Sequence, residues 1–214
     1  MFELNQVMPF PLKEKKREKA SEIWNKQVQF KSGERIKITA PSGTGKTTLI
    51  HLLYGLRKDY DGVIQFDGKD IKQFNADQVA IQRQSSVSII FQDLQLFEQL
   101  TARENIELKR ILQTPFYESS KIEEMAQLLG IRDILDQSAS TCSYGEQQRI
   151  CIIRALIQPF DWLLMDEPFS HLDLENQQLA IQLITEECNK RNAGFVLTDL
   201  NDDQSFIYSR TLYL

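Results

Sequence analysis

Residues 35–48 read Arg-Ile-Lys-Ile-Thr-Ala-Pro-Ser-Gly-Thr-Gly-Lys-Thr-Thr, an apolar strand pattern that runs into a glycine-rich loop. Gly43, Gly45, Lys46 and Thr47 match the second half of the phosphate-loop pattern G-x-x-x-x-G-K-[ST]. The residues from Lys46 to about Leu56 are predicted to form a helix. A strand before the loop and a helix after it are the context that this pattern requires, so the stretch predicts an α/β domain built around a bound phosphate.

The residue types of the loop explain how it would hold a nucleotide. Glycines let successive amides turn inward around a phosphate, and the helix N-terminus adds its partial positive charge. Lys46 would bridge the β- and γ-phosphates of ATP, and the Thr47 hydroxyl would be a ligand of Mg²⁺. The first position of the pattern is Ala40 instead of glycine, which the loop tolerates if the φ angle there is negative. The predicted nucleotide-binding residues are Ala40, Pro41, Ser42, Gly43, Thr44, Gly45, Lys46, Thr47 and Thr48.

Two acidic residues directly follow an apolar run later in the chain. Trp162 to Met165 is a predicted buried strand, and Asp166 and Glu167 follow it directly. A carboxylate that emerges beside a phosphate loop can hold Mg²⁺ through water, which suits Asp166. Glu167 can polarise an attacking water as general base. Together with the loop, the acidic pair predicts nucleotide hydrolysis.

Strands and helices alternate along the rest of the chain. This alternation predicts a P-loop NTPase with a mostly parallel sheet flanked by helices, an N-terminal antiparallel β sub-domain, and a helical lobe. We expect residues 1–214 to form a single ATP-binding domain, with the helical sub-domain at about 95–158. The predicted strands are Phe2–Val7, Val28–Phe30, Arg35–Ala40, Val63–Phe66, Ser86–Phe91, Trp162–Met165, Phe195–Thr198 and Ser209–Leu214. The predicted helices after the loop lie at residues 101–136, 144–158 and 174–191.

Composition excludes several classes of protein. The 25 basic and 30 acidic residues give a net charge of −5, which argues against a nucleic-acid coating protein. Three cysteines without C-x-x-C spacing favour neither a disulfide framework nor a zinc site, and fit a cytosolic protein. Apolar runs are too short to span a bilayer. The charged stretch Lys13–Lys19 is interpreted as a solvated loop or helix start.

Further motifs, in order, resemble those of the ATP-binding cassette family. Residues 40–48 are similar to Walker A and residues 162–167 to Walker B, while Phe91-Gln92-Asp93 looks like the Q-loop and the sequence from Leu96 to Ile106 continues the family pattern. Residues 142–149, Cys-Ser-Tyr-Gly-Glu-Gln-Gln-Arg, resemble the signature motif, and residues 170–173, Ser-His-Leu-Asp, resemble the D-loop. The resemblance implies that Gln92 contacts Mg²⁺ and the attacking water.

The same resemblance implies an assembly. Two ATP molecules would lie between the phosphate loop of one subunit and the signature helix of the other in a head-to-tail dimer, with Ser143 and the Gly145 amide directed at the γ-phosphate. An integral membrane permease would convert closure and opening of the dimer into transport. The expected location is therefore cytoplasmic, peripheral on the inner face of the cell membrane. Both a homodimer and a heterodimer with another cassette subunit are compatible with the sequence.

Three features depart from the family pattern. Tyr144 stands where the signature has glycine, and Cys142 where it has leucine. The switch histidine expected after the last core strand is replaced by Asp199, whose charge would repel the γ-phosphate. No obvious aromatic residue stacks on adenine. Phe10 is the candidate for that role, while Trp24 is interpreted as a core residue.

These departures leave two main functions open. Intact Lys46, Gln92, Asp166 and Glu167 favour a working transport ATPase with a slow or asymmetric cycle. Tyr144 and Asp199 motivate the alternative, a regulatory or structural subunit that binds ATP without hydrolysing it. A soluble relative that acts on DNA or ribosomes is disfavoured, since the chain has neither a long coiled-coil or zinc insert nor a second cassette.

Overall fold

The computed structural model describes residues 1–14, 20–200 and 206–214. Most of the predicted loop or helix start at Lys13–Lys19 lies outside the described residues. The described elements form two sheets and six α-helices, and all six helices lie between strands that follow residue 35 in the chain.

The larger sheet has five parallel strands in the order β6-β7-β8-β3-β9. Their bounds are Arg35–Thr39 (β3), Val87–Ile90 (β6), Trp162–Asp166 (β7), Gly194–Asp199 (β8) and Arg210–Tyr213 (β9). Successive residues of β7 belong alternately to two buried clusters, Trp162 and Leu164 to one and Leu163 and Met165 to the other. Both faces of the sheet are therefore covered, which confirms the predicted α/β class.

The smaller sheet is antiparallel, in the order β2-β1-β4-β5. Its strands are Phe2–Pro9 (β1), Gln27–Phe30 (β2), Tyr60–Phe66 (β4) and Lys69–Asp70 (β5). Buried residues at alternate positions, such as Phe2 and Leu4, turn one face inward. The Phe2 ring lies 5.5 Å from the Trp162 ring, so the two sheets share one core.

Six helices complete the fold: Lys46–Leu53 (α1), Ala76–Ser85 (α2), Ala102–Ile111 (α3), Ser120–Leu128 (α4), Tyr144–Leu156 (α5) and Leu174–Arg191 (α6). Helix α1 contacts β7 and β8, and α2 contacts β6. Helices α3 and α4 both pack on α5, which also contacts β6 and α6. The lobe formed by α3, α4 and α5 is thus anchored to the sheet through α5. Capping boxes at Asn75, Thr101 and Ser143 begin α2, α3 and α5.

The structure corrects the bounds of two predicted helices and adds a third helix. The helix predicted over residues 101–136 is wrong as one element, because α3 ends at Ile111 and α4 begins at Ser120. The intervening segment contains Pro115, which lacks the amide that a continuing helix would use. Helix α1 ends at Leu53 instead of about Leu56. Helix α2 was not predicted, since it buries only Gln82 and shows no apolar stripe.

No helix of the described residues is long and apolar enough to cross a membrane.

Candidate nucleotide-binding site

The phosphate loop joins the end of β3 to α1. Gly45 is the N-cap of α1 with φ at +110°, a backbone conformation that L side chains rarely adopt. A Cβ at this position would lie 2.5 Å from Leu12 Cδ1 and 3.2 Å from Trp24 Cζ2. Both backbone conformation and packing therefore require glycine here. No side chain caps the first turn of α1, so its amides can face an anion.

Lys46 lies folded along the loop that precedes it. Its side chain is only 6% exposed, and its Nζ donates to the carbonyl oxygens of Ala40 at 2.8 Å and Pro41 at 3.4 Å. The same Nζ lies 3.3 Å from Glu167 Oε1. Lys46 and Glu167, two of the three predicted catalytic residues, are thus in contact, although 121 positions separate them in the sequence (167 − 46).

Glu167 reaches Lys46 because the chain turns sharply where β7 ends. Its φ is +46°, a left-handed conformation that is uncommon for a residue with a side chain. Its amide donates to the Thr198 carbonyl at 3.1 Å, which fixes the turn against β8. Strained backbone of this kind is often found at functional sites.

Asp166 is buried at the last position of β7, with 1% exposure. Its Oδ1 accepts a hydrogen bond from Thr198 Oγ1 at 2.7 Å, whereas Oδ2 accepts none from the described residues. Strand register explains the first contact, since Asp166 pairs with Thr198 across β7 and β8. The open oxygen of a buried carboxylate suits a cation or its water.

Thr47, Gln92 and Asp166, the three predicted metal ligands, line one pocket of about 280 Å³. Thr47 Oγ1 and Gln92 Oε1 are 3.5 Å apart. A hydroxyl, an amide oxygen and one carboxylate are hard oxygen donors, and Mg²⁺ is commonly held by such a sparse set together with water and phosphates. The donor set therefore fits Mg²⁺. His51 also lines this pocket, and burial lowers its pKa, although the Asp166 carboxylate opposes that shift.

Phe10 and Trp24, the two aromatic residues considered for adenine stacking, differ in exposure. Trp24 is 2% exposed and its Nε1 donates to the Thr44 carbonyl at 3.3 Å, which confirms the interpretation as a core residue. Phe10 is 50% exposed. It begins the short 3-10 helix Phe10–Leu12, whose last residue packs against the phosphate loop, and Lys13 Nζ lies 4.5 Å from its ring centroid.

The signature residues form a second group on the lobe. Ser143 caps α5, and its hydroxyl and amide both donate to the Glu146 carboxylate, at 2.8 Å and 2.7 Å. Gly145 faces the D-loop, where an added Cβ would lie 3.1 Å from the His171 carbonyl oxygen. The Tyr144 ring is 4.1 Å from the His171 ring. The signature helix is therefore packed against the D-loop of its own chain.

Asp199 ends β8 at the position of the expected switch histidine. Its Oδ1 accepts a hydrogen bond from the Leu200 amide at 2.6 Å. Two further residues contribute to the site and were not predicted from the sequence, Thr198 and Leu12. The position of Thr198, directly before the residue that replaces the switch histidine, could have identified it, because residues at the ends of neighbouring parallel strands lie side by side. Nothing in the sequence signalled the second.

Comparison with known proteins agrees with this geometry. Residues 24–170 match the family model described as ABC transporter. The chain is 30% identical over 202 residues to the lipoprotein-releasing system ATP-binding protein LolD of Buchnera aphidicola, covering 94% of this chain and 87% of LolD. It is 33% identical over 168 residues to the macrolide export ATP-binding/permease protein MacB of Marinobacter nauticus, covering 78% of this chain but 26% of MacB.

A solved structure shares the whole fold. The dimeric post-hydrolysis state of the ATP-binding cassette MJ0796, bound to ADP and Pi, superposes with a TM-score of 0.85 at 25% identity, covering 100% of this chain and 94% of that one. The motifs, the contact between Lys46 and Glu167, and these likenesses agree. The chain belongs to the ABC transporter family and is an ATP-binding cassette that hydrolyses ATP.

Proposed function

We propose that this cassette is the ATPase subunit of a transporter, and that it binds MgATP in a head-to-tail dimer whose closure and opening drive a separate membrane permease. The single observation that carries the proposal is the meeting of Lys46 and Glu167 at 3.3 Å beside the pocket of Thr47, Gln92 and Asp166. Positioned charge is the main contribution of a protein to phosphoryl transfer. The described contacts therefore favour hydrolysis over a purely regulatory subunit.

The triphosphate would lie against the first turn of α1. Residues 40–48 supply the amides, and Lys46 exchanges the carbonyl oxygens of Ala40 and Pro41 for the β- and γ-phosphate oxygens. This exchange is favourable because a charged acceptor makes a stronger hydrogen bond than a neutral carbonyl. Movement of Lys46 also releases the Glu167 carboxylate from its ion pair.

Glu167 would then act as general base on the attacking water, which Gln92 orients. Thr47, Gln92 and Asp166 would hold Mg²⁺, whose charge offsets that of the phosphates in the transition state. Asp166 Oδ2, which has no hydrogen-bond partner among the described residues, is the group best placed to contact the ion or its water. Thr198 keeps the other oxygen of the same carboxylate fixed.

Phe10 is assigned to the adenine. Its ring is half exposed on the segment that packs against the phosphate loop, and a flat apolar ring can stack on a base. Lys13, at 4.5 Å from the ring, would lie beside the stacked base. A Phe10→Ala variant should weaken ATP binding more than binding of inorganic triphosphate.

The second half of each site would come from the partner subunit. Ser143 and the Gly145 amide at the start of α5 would contact the γ-phosphate bound by the other subunit. Each subunit would be a single domain of residues 1–214, with a helical lobe at about 95–158. Tyr144 adds bulk at that contact, and its ring packing on His171 of the same chain accommodates part of that bulk. Asp199 brings negative charge near the γ-phosphate that its own subunit binds, so both departures would slow the cycle.

ATP-dependent dimerisation tests the sandwich. A Glu167→Gln variant lacks the proposed general base and should keep ATP bound, so light scattering with MgATP should give twice the 24.9 kDa mass of one chain. A Glu167→Gln, Lys46→Ala double variant should stay monomeric, because the phosphates lose their main cation. A Glu167→Gln variant that stays monomeric at saturating MgATP would contradict the homodimer and favour pairing with another cassette subunit.

Co-purification tests the partner and the location. From its source membranes the cassette should co-purify with a multi-span permease on the cytoplasmic face of the cell membrane. Recovery with nucleic acid or ribosomes instead would contradict the assignment.

A further inference from the structure

The D-loop, residues 170–173, packs against the start of the signature helix of its own chain. The ring centroids of His171 and Tyr144 are 4.1 Å apart, with one ring edge-on to the other. The His171 amide donates to Gln148 Oε1 at 3.1 Å, and Gln148 is 1% exposed on α5. Gln148 therefore holds the His171 backbone independently of the ring contact, and the imidazole lies beside the signature residues.

The imidazole of His171 is available to a ligand. His171 is exposed, as are Ser143 and Tyr144 at the start of the signature helix. Neither ring nitrogen of His171 forms a hydrogen bond or an ion pair with the residues that the structure describes. The carboxylate of Asp173, two residues further along the D-loop, accepts from the amide and the side chain of Asn176. A histidine without an internal partner can present an N–H donor outward.

The charges of one subunit leave the γ-phosphate short of a hydrogen-bond donor. The proposed function places Lys46 at this phosphate together with the carboxylates of Glu167 and Asp199. Asp199 Oδ1 accepts from the Leu200 amide at 2.6 Å, and an ionised carboxylate has no donor to offer a phosphate. Negative charge beside the phosphate opposes the charge that the transition state spreads over its oxygens. A donor from outside the subunit would therefore lower the barrier.

We propose that His171 donates a hydrogen bond to the γ-phosphate bound by the facing subunit, and so replaces in trans the missing switch histidine at the position of Asp199. This inference rests on the proposed function, which directs Ser143 and the Gly145 amide at that phosphate. His171 belongs to the same surface, since a Cβ at Gly145 would lie only 3.1 Å from the His171 carbonyl oxygen. A side chain this close to the signature residues can reach the ligand that they contact.

The facing subunit is favoured over the subunit that carries His171. The pocket of its own chain is lined by the predicted metal ligands Thr47, Gln92 and Asp166, and among the described residues His171 does not line it. The imidazole instead contacts Tyr144, within the signature motif that would serve the other nucleotide. The contacts of His171 thus place it with the half of the site that crosses the dimer.

The chemistry required of His171 is a single hydrogen bond. A neutral imidazole has one N–H donor and an imidazolium has two, so either form can supply it. The proton of the attacking water still goes to Glu167, and His171 makes and breaks no covalent bond. The hydrogen bond would strengthen as charge builds on the phosphate oxygens, so it should raise kcat more than ATP affinity.

His171→Phe is the decisive variant. Phenylalanine keeps a ring against Tyr144 but has no donor, so the fold should be retained. With the permease bound, kcat for ATP should fall by about 10²-fold while KM changes by less than about threefold. His171→Gln keeps an N–H donor without the ring, and its kcat should stay within about threefold of wild type.

Two readouts separate loss of the donor from loss of the dimer. The double variant Glu167→Gln, His171→Phe should dimerise in MgATP as Glu167→Gln does, because the phosphate loop and Ser143 are intact. Asp199→His supplies a donor to the same phosphate from the subunit that binds it. This substitution should therefore raise kcat at least about tenfold more in the His171→Phe background than in wild type.

Mixed dimers test the action across the interface. Wild type with an excess of Glu167→Gln forms dimers with one hydrolytic site, and the phosphate of that site faces the His171 side chain of the Glu167→Gln subunit. Formation of ADP in a single turnover should proceed there at the wild-type rate. It should be about 10²-fold slower when the excess subunit is Glu167→Gln, His171→Phe.

The outcomes separate this inference from the proposed function. Three results would each overturn the inference and leave the proposed function in place: a kcat of His171→Phe equal to that of wild type, a loss by His171→Gln as large as that by His171→Phe, or equal single-turnover rates in the two mixed dimers. No ATP turnover by wild type with the permease would overturn the proposed function itself.

Discussion

Gly45→Ala should destabilise the protein far more than Gly43→Ala, although both glycines belong to the phosphate loop. An L residue at a positive φ costs about 1–2 kcal/mol, a cost that both variants share, since φ is +77° at Gly43 and +110° at Gly45. Only the Cβ at position 45 meets other atoms, at 2.5 Å from Leu12 Cδ1, whereas nothing lies within 4 Å at position 43.

Packing around Gly45 determines the size of the difference. Leu12 and Trp24 are 6% and 2% exposed, so neither can move aside freely. Overpacking of this kind costs about 1–3 kcal/mol, which brings Gly45→Ala to about 2–5 kcal/mol in total. With a urea dependence of about 2–3 kcal/mol per molar, its unfolding midpoint should fall by about 1–2 M, against about 0.5 M for Gly43→Ala.

A double-mutant cycle separates the clash from the backbone strain. Leu12→Ala removes the Cδ1 atom, so Gly45→Ala should cost less in that background than in wild type, by about 1 kcal/mol or more. Urea unfolding followed by tryptophan fluorescence measures all four proteins. Equal midpoints for Gly45→Ala and Gly43→Ala, or strict additivity with Leu12→Ala, would refute this account of the loop.

Three further perturbations test the site and the burial of Lys109. Thr198→Val removes the hydrogen bond to buried Asp166 and should lower the free energy of unfolding by about 1–3 kcal/mol, with Thr198→Ser near wild type in urea unfolding. Tyr144→Gly removes the ring contact to His171 and should lower the free energy of unfolding by about 1–2 kcal/mol. The same variant should raise ATP turnover, and an unchanged turnover would contradict the steric role of the ring. Burial lowers the pKa of Lys109 from its ordinary value of 10.5 to about 8, so between these pH values the unfolded chain binds more protons than the folded chain. The free energy of unfolding of wild type, measured relative to Lys109→Met, should therefore rise as the pH increases from about 8 to 10.5. A difference that does not change with pH would contradict the desolvation of Lys109.

The sequence predicted the elements whose pattern is local. The loop of residues 40–48 and the apolar strand before Asp166 were recognisable because glycine spacing and an apolar run are visible without tertiary contacts. Helix α2 was not, since its only buried residue is Gln82, although the capping pair Asn75 and Gln78 marked its start.

Other features depend on contacts between distant segments. The predicted separate roles of Lys46 and Glu167 gave no sign that the two side chains touch, because the contact arises from the left-handed turn at Glu167. The burial of Lys109 near Arg83 and Arg154 likewise arises only when α2, α3 and α5 pack together. Tyr144 was identified as a departure, but its contact with His171 became clear only from the packing of α5 on the D-loop.

The central claim is that Glu167, released from Lys46 by the phosphates, is the general base of ATP hydrolysis. Steady-state ATP turnover of wild type and Glu167→Gln, each with the permease, tests it most directly, alongside ATP affinity measured by filter binding. Loss of a general base should lower turnover by about 10²- to 10⁴-fold, while ATP affinity is kept or increased because a negative charge near the phosphates is gone. Turnover by Glu167→Gln equal to that of wild type would contradict the account.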